Sequence, residues 1–240
     1  MKEEDLIFKT ILSCVPLRQI GENGMPKNYA SGVIINYCNK KVIMSVFHAT
    51  RDFTNWAIEI KSDFKNGTWL KELGQMGNAV EASIDCEEIN RIDFSYNTLP
   101  SDIKSFHQVI DIESNQIFEH ERLIIDYDFA TKPSFDKKYS FFGQTEFKNN
   151  GKIIIPVGKL VMNLEYVRDD GSFYVFKLPN KHPGHEYFRG TSGAPIFDND
   201  GNLVSLVCKG NKDEDYIYGI RLIKYKSLID IQVDNINNGM

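Results

Sequence analysis

The sequence predicts an all-β fold, arranged as a sandwich or as β-barrels, with one helix at the C-terminal end. Many short β-prone runs succeed one another along the 240 residues. Turn-forming triplets separate several of these runs, namely Asn149-Asn150-Gly151, Asp169-Asp170-Gly171 and Asn199-Asp200-Gly201. Short strands that alternate with such turn signals are typical of sandwiches and barrels.

The first half of the chain begins with a predicted β-hairpin. A β-prone run at 30–37 is followed by a turn at Asn39-Lys40 and by a returning strand at 41–47. Residues 57–61 alternate apolar and polar side chains, which is the period of a half-buried strand. A weaker strand is predicted at 81–85.

The second half continues this series of short strands. Its predicted strands are 139–142, 152–157, 158–164, 172–178, 194–197, 203–208 and 216–222. Helical signals are few: residues 70–76 are predicted to form one or two helical turns, and residues 224–233 a C-terminal helix. Residues 101–134 are expected to connect the two halves and to supply one or two edge strands.

Composition and charge argue against several classes of protein. Hydrophobic residues make up 42% of the chain and charged residues 25%, which is ordinary for a soluble globular protein. The formal net charge is -5, so we expect no nucleic-acid partner, because nucleic-acid-binding domains usually present a basic face. No apolar run approaches the length of a membrane span, and the N-terminus lacks the pattern of a secretory signal. We therefore expect a cytoplasmic protein without a membrane partner.

The cysteines and histidines predict neither a metal nor a cofactor. Cys14, Cys38, Cys86 and Cys208 lack metal-ligand spacing. Free thiols in a reducing compartment are the simplest account, although an even count is also compatible with disulfides. Segment 182–185 holds two histidines, but its proline and glycine make it a poor setting for a helical metal pair.

One segment carries a candidate nucleophile. Residues 189–197 read RGTSGAPIF and place Ser192 between Gly190 and Gly193. An attacking serine hydroxyl needs a tight turn that exposes it and backbone N–H groups that bind the developing oxyanion. Glycine permits both the turn and the close approach of a substrate. The same pattern also occurs in ordinary turns, so this interpretation depends on a base and a carboxylate elsewhere in the chain.

A histidine and two aspartates are candidate partners for Ser192. His48 follows the predicted strand 41–47, and a histidine at a strand end can project into a cleft. A serine needs such a base, which works better when a carboxylate orients it. Asp93, in an apolar β-prone run, and Asp128, in similar surroundings, both qualify. Local chemistry does not choose between these two aspartates.

Taken together, these segments resemble the trypsin-like serine proteases of the chymotrypsin fold. The matching segments are 31–35, 45–49, 92–96, 190–195 and 201–207. The order His48, Asp93, Ser192 is that of the family, and the separations suit it. The resemblance spans residues 28–232 and favours Asp93, because Asp128 would leave too little chain before the next barrel strand.

The resemblance implies two antiparallel six-stranded β-barrels with the active site in the cleft between them. The first barrel, residues 1–118, would supply the histidine and the aspartate, and the second, residues 119–240, the serine and the C-terminal helix. By this resemblance His48 acts as general base and then general acid, Asp93 fixes its tautomer, and Ser192 forms the acyl-enzyme.

The resemblance also implies binding positions for a protein or peptide substrate. The backbone N–H groups of Gly190 and Ser192 would form the oxyanion hole. Cys208-Lys209-Gly210 would pair with the substrate backbone as an added strand. Glu186 stands near where the family places the floor of its primary pocket, with the acidic residues 213–215 in the loop opposite. These acids predict cleavage after Lys or Arg, and surface charge is an equally good account of them.

Two departures from the family bear on regulation. Thr191 precedes the serine where cleavage-activated members carry an aspartate, and no cysteine adjoins His48 or Ser192. We therefore expect an intracellular serine endopeptidase with narrow specificity or a regulatory protein partner, working in bacterial stress or antiviral defence. The alternative is a catalytically silent protease fold that serves as a protein-binding module. An α/β-hydrolase esterase is disfavoured, because that fold needs the order Ser, Asp, His.

Overall fold

The computed structural model describes residues 1–22, 24, 26–51, 55–63, 67–82, 89–111, 114, 116–149, 154–184 and 186–237. Within these ranges strands dominate, which confirms the all-β class. The strands are β1 (Val15–Ile20), β2 (Pro26–Tyr37), β3 (Lys40–Ser45), β4 (Trp56–Asp63), β5 (Gly67–Glu72), β6 (Gly77–Ala82), β7 (Ile89–Leu99), β8 (Phe106–Asp111), β9 (Gln116–Glu121), β10 (Ile125–Asp126), β11 (Lys138–Asn149), β12 (Ile154–Asp170), β13 (Phe173–Lys177), β14 (Pro195–Asp198), β15 (Leu203–Asn211) and β16 (Tyr216–Ile220). The helices are α1 (Glu3–Ser13), α2 (Phe47–Thr50) and α3 (Lys226–Asn237), with 3₁₀ turns at Glu186–Phe188 and Leu222–Tyr225.

The first half of the chain forms an eight-stranded sheet. Seven strands follow the order β5-β4-β1-β2-β3-β7-β6, and the short β10 pairs parallel to β2. The predicted hairpin is the β2–β3 pair, and its turn uses Cys38 and Asn39 with φ of 48° and 62°. Leu17, Ile34 and Trp56 lie in the apolar core of this sheet. Because β10 belongs to it, the sheet continues past the boundary predicted at residue 118, and that boundary stays a prediction.

The second half closes into a six-stranded antiparallel barrel, as predicted. Its strand order is β11-β12-β13-β16-β15-β14. Tyr139, Phe141, Leu164 and Phe176 fill its interior. In a closed barrel every strand is paired on both sides, so each loop at the rim connects two paired strands.

A third apolar core joins the two halves and brings their facing rims together. Val33 and Met44 of the first sheet pack in one cluster with Phe197 and Leu206 of the barrel. This shared core packs the two halves against each other, so residues from both halves line one cleft.

The terminal helices cross-link the halves further. In α1, Thr10 Oγ1 lies 3.2 Å from Ser140 Oγ of the barrel. In α3, the predicted C-terminal helix, Asp230 accepts a 2.6 Å hydrogen bond from Tyr37 of the first sheet. No helix in the described ranges is both long and apolar enough to cross a bilayer.

Helix α1 was not predicted, because its buried face is partly polar. Leu6, Thr10 and Ser13 are its buried residues. The hydroxyl groups of Thr10 and Ser13 donate to the carbonyl oxygens four residues earlier, at 2.7 Å each. Because both hydroxyls are hydrogen-bonded within the helix, this face can be buried although it is partly polar. Sequence patterns detect helices by apolar periodicity, which this face lacks.

Two predictions of local structure are wrong. The helical turns expected at 70–76 are replaced in part by β5, whose Leu70 lies opposite Glu59 of β4. The described parts of the strands expected at 152–157 and 158–164 form one strand, β12. Gly158 is a packing position rather than a break, because a Cβ there would lie 2.2 Å from the Phe142 ring.

Some predictions fall outside the described residues. They are the second half of the strand at 81–85, part of the turn at 149–151, Cys86 and His185.

Candidate active site

His48 is presented at the rim of the first sheet by a tight change of direction. Strand β3 ends at Ser45, and the chain turns at once into the four-residue helix α2. Thr50 anchors this helix, since its hydroxyl donates to Ser95 Oγ of β7 at 2.8 Å. The His48 side chain is consequently 44% exposed and faces the cleft.

Asp93 of β7 holds the His48 ring through two contacts. Its Oδ1 accepts from the His48 backbone N–H and its Oδ2 lies against His48 Nδ1, both at 2.7 Å. A proton on Nδ1 makes Nε2 the acceptor of the ring. Burial raises the pKa of the Asp93 carboxyl, but hydrogen bonds from His48 and Cys208 outweigh burial and hold that pKa below its ordinary value. Asp128, the other candidate, instead accepts a bond from Ala130 N–H.

Ser192 completes the line of side chains from the opposite half. His48 Nε2 lies 2.9 Å from Ser192 Oγ. The turn around the serine depends on glycine, because Gly190 and Gly193 have φ of 88° and 87°. A Cβ on Gly193 would lie 2.0 Å from Ser31 O, so no other residue fits there without moving the backbone.

Ser31 of β2 fastens the serine turn to the first sheet. Its hydroxyl donates to Gly190 O at 3.0 Å and accepts from Gln144 N–H at 2.9 Å. Its backbone N–H donates to Ser192 O at 3.0 Å, and its carbonyl accepts from Ser45 Oγ at 2.7 Å. Sequence reasoning assigned no role to Ser31; the only signal was its place at the start of the segment that resembles the family.

The predicted oxyanion-hole residues lie on either side of Thr191. Thr191 directs both its N–H and its hydroxyl to Phe188 O, at 3.0 and 2.8 Å. Within the described ranges, the N–H groups of Gly190 and Ser192 make no backbone hydrogen bond. Two donors beside a serine hydroxyl are what the binding of a developing oxyanion requires.

A cavity of about 420 Å³ opens beside these residues. Phe173, Phe188, Val207 and Ile217 give it apolar walls, and His182 also lines it. A cavity of this size, apolar with a few polar groups, is typical of a binding site for one side chain or a small ligand.

The predicted acidic residues do not line this cavity. Glu186 is 83% exposed at its side chain and lies 3.8 Å from Arg189. In the opposite loop, Glu214 accepts from Asn211, and Asp215 accepts from the backbone N–H of His182. The structure therefore does not bring Glu186 to the nucleophile, and the basis for predicting cleavage after Lys or Arg is lost.

The predicted substrate-pairing segment follows the part of β15 that is paired with β14. That ladder ends at Leu206, opposite Pro195, so among the described strands only β16 pairs with Lys209 and Gly210. The edge that faces the cleft is thus open to an added strand.

Cys208 points away from this edge and towards the carboxylate. Its Sγ lies 2.8 Å from Asp93 Oδ2. Burial and the nearby Asp93 charge raise the pKa of the Cys208 thiol well above its ordinary value, so the thiol is a neutral donor. His48, Asp93 and Cys208 also bring potential metal-ligand atoms within 4.8 Å of one another. His48 Nδ1 and Cys208 Sγ are both hydrogen-bonded to Asp93 Oδ2.

Comparisons with known proteins agree on the fold. No protein-family model and no curated protein sequence matches the chain. Among solved structures, the serine endoprotease from Yersinia pestis is 10% identical with a TM-score of 0.60, covering 98% of this chain and 68% of that one. Mouse neuropsin, a serine protease, is 10% identical with a TM-score of 0.55 and coverage of 92% and 94%.

Human heparin binding protein is about as similar to this chain as the two proteases are. It is 10% identical with a TM-score of 0.62, over 95% of this chain and 93% of that one. At 10% identity the likeness concerns the path of the backbone, and the chemistry of the site depends on this chain's own side chains. The chain has the chymotrypsin fold of the trypsin-like serine proteases.

Proposed function

We propose that this protein is a serine endopeptidase in which His48, Asp93 and Ser192 form the catalytic triad. One observation carries the proposal: hydrogen bonds run without a break from Asp93 Oδ2 to His48 Nδ1 at 2.7 Å and from His48 Nε2 to Ser192 Oγ at 2.9 Å. A serine, a base and a carboxylate in this geometry are suited to nucleophilic attack on a carbonyl carbon.

In the proposed reaction Ser192 Oγ attacks the scissile carbonyl while its proton passes to His48 Nε2. The N–H groups of Gly190 and Ser192 bind the oxyanion, and one such donor stabilises the transition state by about 3 kcal/mol. Asp93 stabilises the imidazolium without taking its proton. The leaving amine takes the proton from Nε2, and a water molecule activated by His48 then hydrolyses the acyl-enzyme.

The fold by itself does not decide between an enzyme and a binding module. One structural neighbour is named as a serine endoprotease and another as a heparin binding protein. The test is labelling of the purified chain with a fluorophosphonate probe, with Ser192→Ala as the control. Labelling that disappears in the control supports the enzyme. An unlabelled wild-type chain, with or without a cell extract that could hold an activator, favours the catalytically silent binding module.

The proposal includes an intracellular location and restricted activity. Cys14, Cys38 and Cys208 are free thiols, which supports a reducing compartment. Thr191 is tied to Phe188 by neutral hydrogen bonds, so the serine turn is ordered without a new N-terminus to pair with. An enzyme that is always assembled needs narrow specificity or a protein partner for control. Broad digestion of casein by the isolated chain would contradict this part of the proposal.

A role in bacterial stress or antiviral defence rests on the sequence alone. Its test is the survival of host cells under stress or phage infection, with wild-type protein compared with Ser192→Ala. Equal survival of the two strains would reject this role and leave the peptidase activity open to the labelling test.

A further inference from the structure

The cavity beside Ser192 contains a histidine whose orientation is set by the backbone around it. His182 is 9% exposed and its ring packs edge-on against Phe188, with centroids 5.1 Å apart. Its backbone N–H donates to Asp215 Oδ1 at 2.6 Å. The bond to Asp215 fixes the backbone at residue 182, and the Phe188 contact packs against the ring, which lines the cavity together with Lys209 and Gly210 of β15.

Hydrogen bonding assigns the ring proton of His182. The Gly184 N–H donates to His182 Nδ1 at 3.0 Å, so Nδ1 is unprotonated. The neutral imidazole then carries its proton on Nε2, which is a donor. Nε2 lies at the Gly210 wall of the cavity, 2.7 Å from where a Cβ on Gly210 would stand. Glycine at this position is what leaves room for the donor next to a bound side chain.

The remaining surroundings disfavour a basic ligand. Among the described residues that line the cavity Asp93 is the only acid, and it is engaged by His48 and Cys208. A neighbouring cavity of about 400 Å³ shares His182 and Lys209 with the first and adds Lys212. Lys209 Nζ lies over the Phe173 ring, 4.7 Å from its centroid, and so keeps a positive charge beside the cavity.

We propose that this cavity receives a glutamine or glutamate side chain on the acyl side of the scissile bond, and that His182 Nε2–H is the donor that selects it. Both side chains combine a short apolar stem, which suits Phe188 and Val207, with a terminal oxygen that accepts a hydrogen bond. The inference rests on the proposed peptidase function and replaces the expectation of cleavage after Lys or Arg. His182 is a specificity-determining residue and takes no part in bond cleavage.

The experiment compares kcat/KM for peptides that differ only in the residue before the cut: Gln, Glu, Met, Lys and Arg. Met has nearly the shape of Gln but lacks the acceptor, so the Gln-to-Met ratio isolates the hydrogen bond. We expect a ratio of about tenfold or more in favour of Gln or Glu, since one well-placed hydrogen bond corresponds to roughly a tenfold difference. The Gln and Glu peptides separate an amide from a carboxylate ligand.

Two substitutions at the same position test the donor. In His182→Asn the amide reaches the place of Nδ1 and cannot supply a donor at Nε2, so the Gln-to-Met ratio should fall about tenfold. In His182→Gln the longer amide carries a donor near Nε2, and part of the ratio should return. His120→Asn, at an exposed histidine of β9, is the control and should keep the wild-type ratio.

Fluorophosphonate labelling of Ser192 in every variant separates the two proposals. A labelled enzyme that prefers Lys, Arg or Met, or a His182→Asn variant that keeps the wild-type ratio, overturns the assignment of His182 while the peptidase stands. If no variant, wild type included, is labelled or cleaves any peptide, the peptidase function and the specificity proposal are both rejected. A labelled variant with reduced melting temperature is still informative, because the ratio of two substrates is independent of the folded fraction.

Discussion

The two halves of the molecule contribute to the candidate site in different ways. The first half contributes side chains, His48 from α2 and Asp93 from β7, held by two hydrogen bonds between them. The second half contributes a backbone conformation, since Gly190 and Gly193 with positive φ shape the turn that carries Ser192. The contribution of the first half depends on the chemical groups of His48 and Asp93. The contribution of the second half depends on the backbone conformation of the turn around Ser192.

The largest expected effect is a loss of kcat, and it tests whether His48 of the first half and Ser192 of the second half act as one catalytic unit. Ser192→Ala, His48→Ala and the double variant should each lower kcat by about 10⁶, because residues of a catalytic unit are not additive. Single-turnover and steady-state kinetics measure this on the preferred peptide. A double variant that is much slower than either single variant would show that the two halves contribute independently.

The next effect concerns the first half alone. Asp93→Asn should lower kcat by about 10⁴, because an amide can hold the His48 ring in the wrong tautomer. Asp128→Asn is the matched control and should leave kcat unchanged, since Asp128 serves only the local turn through Ala130 N–H. Equal losses in the two variants would show that the charge of this region, and not the contact with His48, matters.

The backbone role of the second half is tested at Gly193. Gly193→Ala would combine strain at φ 87° with a Cβ 2.0 Å from Ser31 O. We expect a loss of about 3 kcal/mol or more in the free energy of unfolding, measured with urea. Gly171→Ala, at φ 57° with nothing within 4 Å, should cost only about 1 kcal/mol. Similar losses at the two glycines would mean that the close contact with Ser31 is unimportant.

Ser31 tests the hydrogen bonds that join the first sheet to the serine turn. Ser31→Ala leaves Gly190 O and Gln144 N–H without this hydroxyl and should cost about 2 kcal/mol of stability. We also expect kcat to fall about tenfold with little change in KM, because the serine turn loses its anchor. Ser205→Ala removes a buried bond to Ile220 O inside the barrel and should lower stability without lowering kcat.

If Ser31→Ala and Ser205→Ala lose stability to the same extent and both keep full kcat, Ser31 is a structural residue only. The comparison therefore separates anchoring of the nucleophile from general support of the fold.

The smallest effect concerns the pH dependence of the barrel. Burial raises the pKa of the Asp198 carboxyl, but hydrogen bonds from Lys137 and Asn202 outweigh it and hold that pKa below its ordinary value. A lowered pKa in the folded state stabilises the protein above the unfolded pKa, and the stabilisation is lost as pH falls through the folded pKa. Asp198→Asn should therefore lower stability at pH 7 and flatten its decline below about pH 4. Urea unfolding at pH 7 and pH 3 measures both changes, and an unchanged pH profile contradicts the assignment.

Sequence patterns worked where the signal is local. The hairpin of β2 and β3 and the turn at Gly171 follow from residues that lie next to one another, and the structure has both. Patterns failed at residues 70–72 of the segment predicted to be helical, where pairing with β4 overrides local preference. They also missed α1, whose buried hydroxyls look polar in the sequence but are satisfied within the helix.

By itself the sequence determined the residue types of the candidate site: a histidine after a strand, an aspartate in a β-prone run, and a serine between two glycines. These are local properties, because a positive φ favours glycine wherever it occurs. The family resemblance favoured Asp93 over Asp128, and the structure pairs Asp93 with His48. Only the tertiary structure decided that Ser31 anchors the serine turn, and that His182 rather than Glu186 lines the cavity beside Ser192. Those choices depend on distances between segments more than a hundred residues apart or in separate loops, which are set when the barrel closes and packs on the first sheet.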